Sequence, residues 1–420
     1  MKRLESVLMS AVLSAVLLAS PAEAGAPLKV SEAFKAKLKQ AMGSPGRLDM
    51  LGLRARFGHA PTPGMNAAVR AAATASKQAG GNASDGIISI PHFDFTATSG
   101  GQQFPLMFVG SEPKSHGKTT LVQNTIIPIA ITLPLAEFDA QGNLVLTGAE
   151  VTFDGSTKVK NTLKSPIFSP AVFNVPPGAG RTQWGDAMQR TTFFSELQPK
   201  SDDWHVFLDT PVVAATVNTA DFFDGFAFDF GGGLVVAFVA GEFIDGIIAS
   251  YLATQDIDPH SLPIFVTYNQ LLYFGGDPFG GCCVLGYHNA IVTGNRGSNV
   301  IVQTFMFADW NDPGVFTVPI QDIHALSHEV AEWLNDPFIS NVVPPYANGE
   351  GTGCDTIMET GDQLVGNTVP VTINGFTYHP QTQDILQWFT RETPSSALGG
   401  LYTFPSDPNV PNTPAPACTP

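Results

Sequence analysis

Short apolar and β-branched runs divided by turn residues dominate the chain from Ile87 onward. Residues 87–90, 104–109, 126–133, 143–146 and 150–153 each read as a strand. Asp154-Gly155 reads as a turn. Residues 184–195 carry a helical pattern, and 204–208 return to strand. Past residue 220 the pattern alternates. Residues 234–239 read as a buried strand, 241–252 as a helix, and 263–268 and 300–307 as further strands. Residues 322–334 read as a helix that stops at Asp336-Pro337. Proline cannot continue a helix, and the residue before it is pushed out of the helical region.

The N-terminal pattern is different. Lys2 and Arg3 precede an apolar run over 8–18, and Ala22-Glu23-Ala24 fits a small-x-small cleavage site. Residues 1–24 are therefore expected to be a secretory signal and the mature protein to be secreted or periplasmic. The run is too short for a bilayer span. The apolar stretch 232–252 contains Glu242 and Asp245, so it too is expected inside the protein, leaving no membrane span after signal cleavage. Residues 25–85 form a leader with helical character at 31–42, an Ala-rich stretch at 65–78 and a Gly/Asn/Ser linker at 80–86. Pro-segment and plain N-terminal arm are both open readings.

Composition narrows the function classes. The chain has 420 residues, 44% of them hydrophobic, enough for a large core. Its net charge is −16, with no basic run, which speaks against nucleic acid as a partner. The expected partners are a peptide or protein substrate, or a component of the cell envelope or matrix. Export permits disulfides. Adjacent Cys282 and Cys283 would close a strained ring, so each is expected to pair with Cys354 or Cys418. Gly117-Lys118-Thr119 has the wrong upstream spacing for a phosphate loop.

The chemistry concentrates in one helix. His328, Glu329 and Glu332 stand in the order His-Glu-x-x-Glu, one residue away from His-Glu-x-x-His. Positions i and i+4 share a helix face, so His328 and Glu332 can hold one divalent ion. Glu329 lies beside them, where a general base is wanted. His324 continues the same stripe, but it stands about 12 Å from Glu332 along the axis and cannot share an ion with it. His324 is then a neighbour one turn away, or pairs with His328 instead. A catalytic zinc takes three protein ligands and one open position. Glu359 and Asp362 are the candidates for the third ligand, with His288 and His379 as alternatives, although a lone histidine is more often structural. One histidine with two carboxylates neutralises a divalent ion and weakens its power to acidify water. Zinc is the expected metal, and another divalent ion such as manganese suits oxygen-rich ligands.

Ser327-His-Glu-Val-Ala-Glu332 followed by Asn335-Asp-Pro337 resembles the Ser-His-Glu-x-x-Glu segment of secreted zincin-like proteins from bacteria and fungi, and more distantly the plant phosphate-induced, EXORDIUM-like proteins. Cys282-Cys-Val-Leu-Gly-Tyr-His288 and Met358-Glu-Thr-Gly-Asp362 resemble segments that flank the helix in those proteins. The resemblance covers about residues 234–401. It implies a zincin-like metalloprotease domain at 221–420 with a mixed sheet and the motif helix; with the β-rich region that the strand pattern indicates at 86–220, the expected fold is α+β. The expected function is a secreted metal-dependent hydrolase, a zinc peptidase with Glu329 as base. The alternative is a non-catalytic binding protein on the same scaffold. Paired carboxylates such as Glu329 and Glu359 acting on carbohydrate are a third reading, unsupported by spacing.

Overall fold

A computed structural model describes Gly25, Leu28, residues 32–42, 56–57 and 86–419, the last apart from 116–117, 177, 199–202, 298 and 350–352. The expected signal peptide, the Ala-rich stretch and most of the linker lie outside the described residues. In the leader, Glu32–Ala41 is helical, as expected, and buries Leu38.

Seven strands form a closed barrel. In chain order they are β1 (Asn124–Phe138), β2 (Gly225–Asp229), β3 (Val235–Ala240), β4 (Leu262–Tyr268), β5 (Gln270–Tyr273), β6 (Cys282–Arg296) and β7 (Asn299–Trp310). Around the ring the order is β1-β4-β7-β6-β5-β3-β2 and back to β1. The β1–β2, β1–β4, β4–β7 and β3–β5 ladders are parallel, and the β2–β3, β5–β6 and β6–β7 ladders antiparallel. Among the described residues, strand accounts for 40% and helix for 21%. The zincin-like α+β arrangement expected from the sequence is therefore incorrect. The reason is β6. This long strand, unrecognised in the sequence, pairs with both β5 and β7, so the sheet closes on itself instead of lying open under a helix. Strands from both sides of residue 220 share this one barrel.

Side-chain alternation sorts the barrel residues into two cores. From β1, Ile127, Ile129, Ile131 and Leu133 join one core together with Phe265, Phe305, Phe307 and Tyr287. Helix α1 (Gly241–Thr254) completes that core with Ile244, Ile248 and Leu252, a stripe at intervals of four. The opposite face sends Ile126, Ile264, Val266, Met306 and Ala308 into the larger core. Helix α2 (His324–Asn335) belongs to that second core through Ala325, Leu326, Val330, Trp333 and Leu334. It packs against β6 and β7. Among the described residues, no helix is long and apolar enough to cross a membrane.

The protein holds two disulfides, Cys282–Cys283 and Cys354–Cys418. The expected pairing is incorrect. Cys282 and Cys283 are buried at the start of β6 and bond to each other, with Cα atoms 3.0 Å apart across a cis peptide. Cys354 begins the short strand Cys354–Ile357. Its partner Cys418 lies beside Pro345, on the segment that pairs with this strand. The C-terminus is thus tied to the region after α2, away from the barrel cysteines.

Candidate metal centre

All twelve residues of α2 are buried, including its polar ones. A buried polar group needs a partner, so their contacts are informative. Trp333 donates from Nε1 to Thr304 Oγ1 at 3.1 Å, and Asn335 donates from Nδ2 to the Ala331 carbonyl at 2.7 Å. The helix ends at Asp336, whose amide donates to the Glu332 carbonyl, just before Pro337. The Trp333 contact joins the helix to β7, and the apolar residues packed beside it set the rotation that turns His328, Glu329 and Glu332 toward one spot.

There, His328 Nε2 lies 3.0 Å from Glu332 Oε1, as the i, i+4 spacing predicts. Asp362 Oδ1 approaches the same nitrogen at 3.7 Å and Glu329 Oε1 at 4.0 Å. From β6 comes His288. Tyr287 faces the α1 core, so its neighbour His288 faces α2. His288 Nδ1 lies 3.4 Å from Glu329 Oε2 and 3.6 Å from Glu332 Oε2. Glu359 is buried close enough to bear electrostatically on both His288 and Asp362. The donor atoms of His328, Glu332 and Asp362 lie within 4.8 Å of one another, and so do those of His288, Glu329 and Glu332.

Each imidazole is held from behind. His328 Nδ1 faces Gln381 Oε1 at 3.2 Å. Gln381 is itself anchored by its amide to Ser327 Oγ and by Nε2 to the Gly361 carbonyl. His288 donates from Nε2 to the Asp336 carbonyl at 3.1 Å. An acceptor on one ring nitrogen fixes the proton there and leaves the other nitrogen as the ligand atom. That other nitrogen faces the carboxylates in both rings.

Two glycines allow the close approach. A Cβ at Gly361 would sit 2.2 Å from His328 Nδ1, and one at Gly286 would sit 2.6 Å from Glu329 Oε1. Gly361 also donates its amide to Glu332 Oε1 at 3.3 Å.

The electrostatics follow from burial and crowding. Burial raises the Glu329 carboxyl to about 7, against the lowering effect of His288 and His328. Burial also opposes ionisation of Glu332, but the charge of His328 and hydrogen bonds from both histidines outweigh it and hold Glu332 well below the carboxylate range. Burial, then Glu332, Glu359 and Glu329, push Asp362 well above its usual range. His288 and His328 both lose basicity to burial and regain more from the carboxylates, so both end raised. Without a cation, protons hold this cluster together. A divalent ion would take their place, and the donor set suits one. Metal–ligand bonds of about 2.0–2.1 Å at tetrahedral angles put donors about 3.3 Å apart, and the histidine–carboxylate contacts within the two triads run from 3.0 to 3.7 Å.

The other two candidate histidines stand aside. His324 lies one turn away and accepts the Gly366 amide on Nε2 at 3.3 Å. Burial, then the neighbouring His328, lower it to about 3. His379 pairs with Asp322, Nδ1 to Oδ2 at 2.7 Å, in a separate contact with Gln321. His288, which the sequence offered only as an alternative, is brought into the cluster, together with the expected His328, Glu329, Glu332, Glu359 and Asp362. Of these six, Asp362 is the one with appreciable exposure, at 28% of its side chain.

No protein-family model, curated protein or solved structure matches the chain.

Proposed function

We propose that the protein is a metal-dependent hydrolase of peptide-type acyl bonds, with the cation held by His328, Glu332 and Asp362. The observation that carries this reading is Glu329. Its carboxylate is fully buried beside the ligand set and short of donors: the nearest, His288 Nδ1, stands 3.4 Å from Oε2, and Oε1 has no hydrogen-bond partner. A structural carboxylate at such a position would be expected to have donors, because leaving it bare costs free energy. One held ready for a proton does not need them.

The residues divide the work. A cation in this place would polarise a substrate carbonyl and stabilise the negative charge that develops on its oxygen. Glu329 accepts a proton from attacking water on a carboxylate oxygen and passes it to the leaving nitrogen. Gln381 keeps the His328 proton on Nδ1, so that Nε2 stays available as a ligand. Glu359 adds negative charge from a buried position, which favours a divalent ion over a proton on the histidines. Substrate reaches the site past Asp362, its exposed side. Zinc fits the mixed nitrogen and oxygen donors, and manganese is the next choice. The N-terminal sequence supports export, which would place the substrate outside the cell.

The deep burial of the other residues favours a second reading, a cation that only braces a secreted binding protein. The two readings part at Glu329. Under the hydrolase reading, Glu329→Gln keeps the cation at His328 and lowers turnover of a peptide substrate by at least about a hundredfold. Wild-type turnover in that variant, with metal bound, would sink the hydrolase. Metal emission spectrometry on wild type and His328→Ala comes first, because loss of the ion in the variant establishes the site that both readings share.

A further inference from the structure

Glu332 belongs to two groups of ligand atoms, and each group uses a different oxygen. Oε1 faces His328 Nε2, and Oε2 faces His288 Nδ1. We propose that His288, Glu329 and Glu332 form a second site for a divalent cation, and that filling it silences the hydrolytic site by taking Glu329 as a ligand. The silencing rests on the hydrolase reading; the second site does not.

Three observations carry it. The first is geometry. The His288 triad is as tight as the His328 triad, with all its donor atoms within 4.8 Å of one another. A carboxylate bridging through both oxygens joins two ions about 3.5–4 Å apart. The second is orientation. His288 is pinned from behind by the Asp336 carbonyl, so its Nδ1 is turned toward Glu329 and Glu332 rather than toward a structural partner. Glu329, fully buried, brings one oxygen with no hydrogen-bond partner and a second whose nearest donor is His288 Nδ1 at 3.4 Å.

The third is charge. Glu329, Glu332 and Asp362 surround the two histidines, and among the described residues the ion pairs of these three carboxylates are with His288 and His328. One divalent ion leaves one of the three negative charges uncompensated in a largely dry site, before the buried Glu359 beside them is counted. With Glu359 counted, two divalent ions balance the four carboxylates. One nitrogen and two carboxylates per ion is a borderline donor set, suited to zinc or manganese.

The consequence is a site that limits itself. With the His328 position filled alone, Glu329 can carry a proton. With both filled, its oxygens are committed to a cation and proton transfer stops. Activity should therefore rise with the first equivalent of metal and fall with the second.

The test uses the full chain, stripped by a chelator and titrated with zinc by calorimetry. Wild type should take up two equivalents and His288→Gln one. Manganese gives an independent readout by electron paramagnetic resonance: an exchange-coupled pair in wild type and an isolated ion in His288→Gln. Should His288→Gln fail to fold, Glu329→Gln serves, again with one equivalent expected. A single equivalent in wild type overturns the second site and leaves the hydrolase standing. Two equivalents in both wild type and variants overturn the assignment to His288 and Glu329. No binding at all removes both proposals. Two equivalents with turnover undiminished by the second overturn the silencing alone.

Discussion

Replacing Gly361 by alanine acts on the site chiefly through the positioning of His328. The backbone there has φ −107° and ψ −24°, a region open to any L-residue, so alanine adds no backbone strain. The added Cβ is the whole perturbation. It would lie 2.2 Å from His328 Nδ1, 2.5 Å from Cε1 and 2.7 Å from Gln383 Oε1. Ordinary contact needs about 3.5 Å, so the ring or the loop must give by about 1 Å. His328 and Gln383 are both buried, and neither can swing into solvent. Overpacking of this kind costs roughly 1–3 kcal/mol of stability. The effect on metal should be larger, because a zinc ligand tolerates only about ±0.2 Å of displacement. Losing the Gln381 contact behind the ring costs a further ten- to hundredfold in affinity by itself, in order of magnitude. The expected result is an affinity at least a hundredfold weaker, measured by competition with a chromophoric chelator. Urea unfolding in chelator checks that the variant is folded. Gly353→Ala, whose Cβ would meet nothing within 4 Å, is the control and should bind as wild type does. A folded Gly361→Ala variant that binds metal within twofold of wild type would refute the claim that His328 is a ligand held in this pose.

Two further outcomes follow from the same structure. The Cys354–Cys418 bond closes a loop with a sequence separation of 64, which in the chain-entropy account stabilises the fold by about 4 kcal/mol. Cys418→Ser should lower the urea unfolding free energy by an amount of that order, and a loss below about 1 kcal/mol would count against it. His92 and His324 are both lowered, chiefly by burial, with His324 brought to about 3. A histidine kept neutral in the folded state and protonated in the unfolded state stabilises the fold above its unfolded value, near 6.5, and loses that contribution as pH falls. The His324 contribution should therefore be lost from about pH 7 toward pH 4, opposite in sign to that of Glu329, whose raised carboxyl favours the fold as pH falls, so the unfolding free energy of metal-free wild type minus that of His324→Asn should shrink across that window. A difference between the two proteins that stays constant across this window would refute the burial account.

The sequence is readable wherever a local rule is sufficient. Helix α2 ends at Asp336 because of Pro337, and α1 follows β3 without a break, both as the pattern of residues indicates. The i, i+4 rule brings His328 and Glu332 together at 3.0 Å. Glu359 and Asp362 are visible as acidic residues downstream of the helix, and they lie beside it. What fails is non-local. Barrel closure depends on β6 meeting β5 and β7, and no window of residues encodes that meeting. The β6 segment also hides its character. Two cysteines, Gly286 and Gly294 interrupt the aromatic and β-branched residues Val284, Tyr287, Ile291 and Val292 that would otherwise mark a strand.

The same blindness explains His288. As one histidine in a loop it is rightly discounted, since a lone histidine is more often structural than a ligand. On a strand, its position carries more. Tyr287 must then face one core and His288 the other, and the other core contains α2. Gly286, a liability in an isolated strand, becomes the position that lets Glu329 approach the sheet, since any Cβ there would meet the Glu329 carboxylate. The feature that conceals the strand is therefore the one that admits the helix to it. A glycine two residues before a histidine, ahead of a helix rich in acids, is thus a local signal that points His288 toward the cluster.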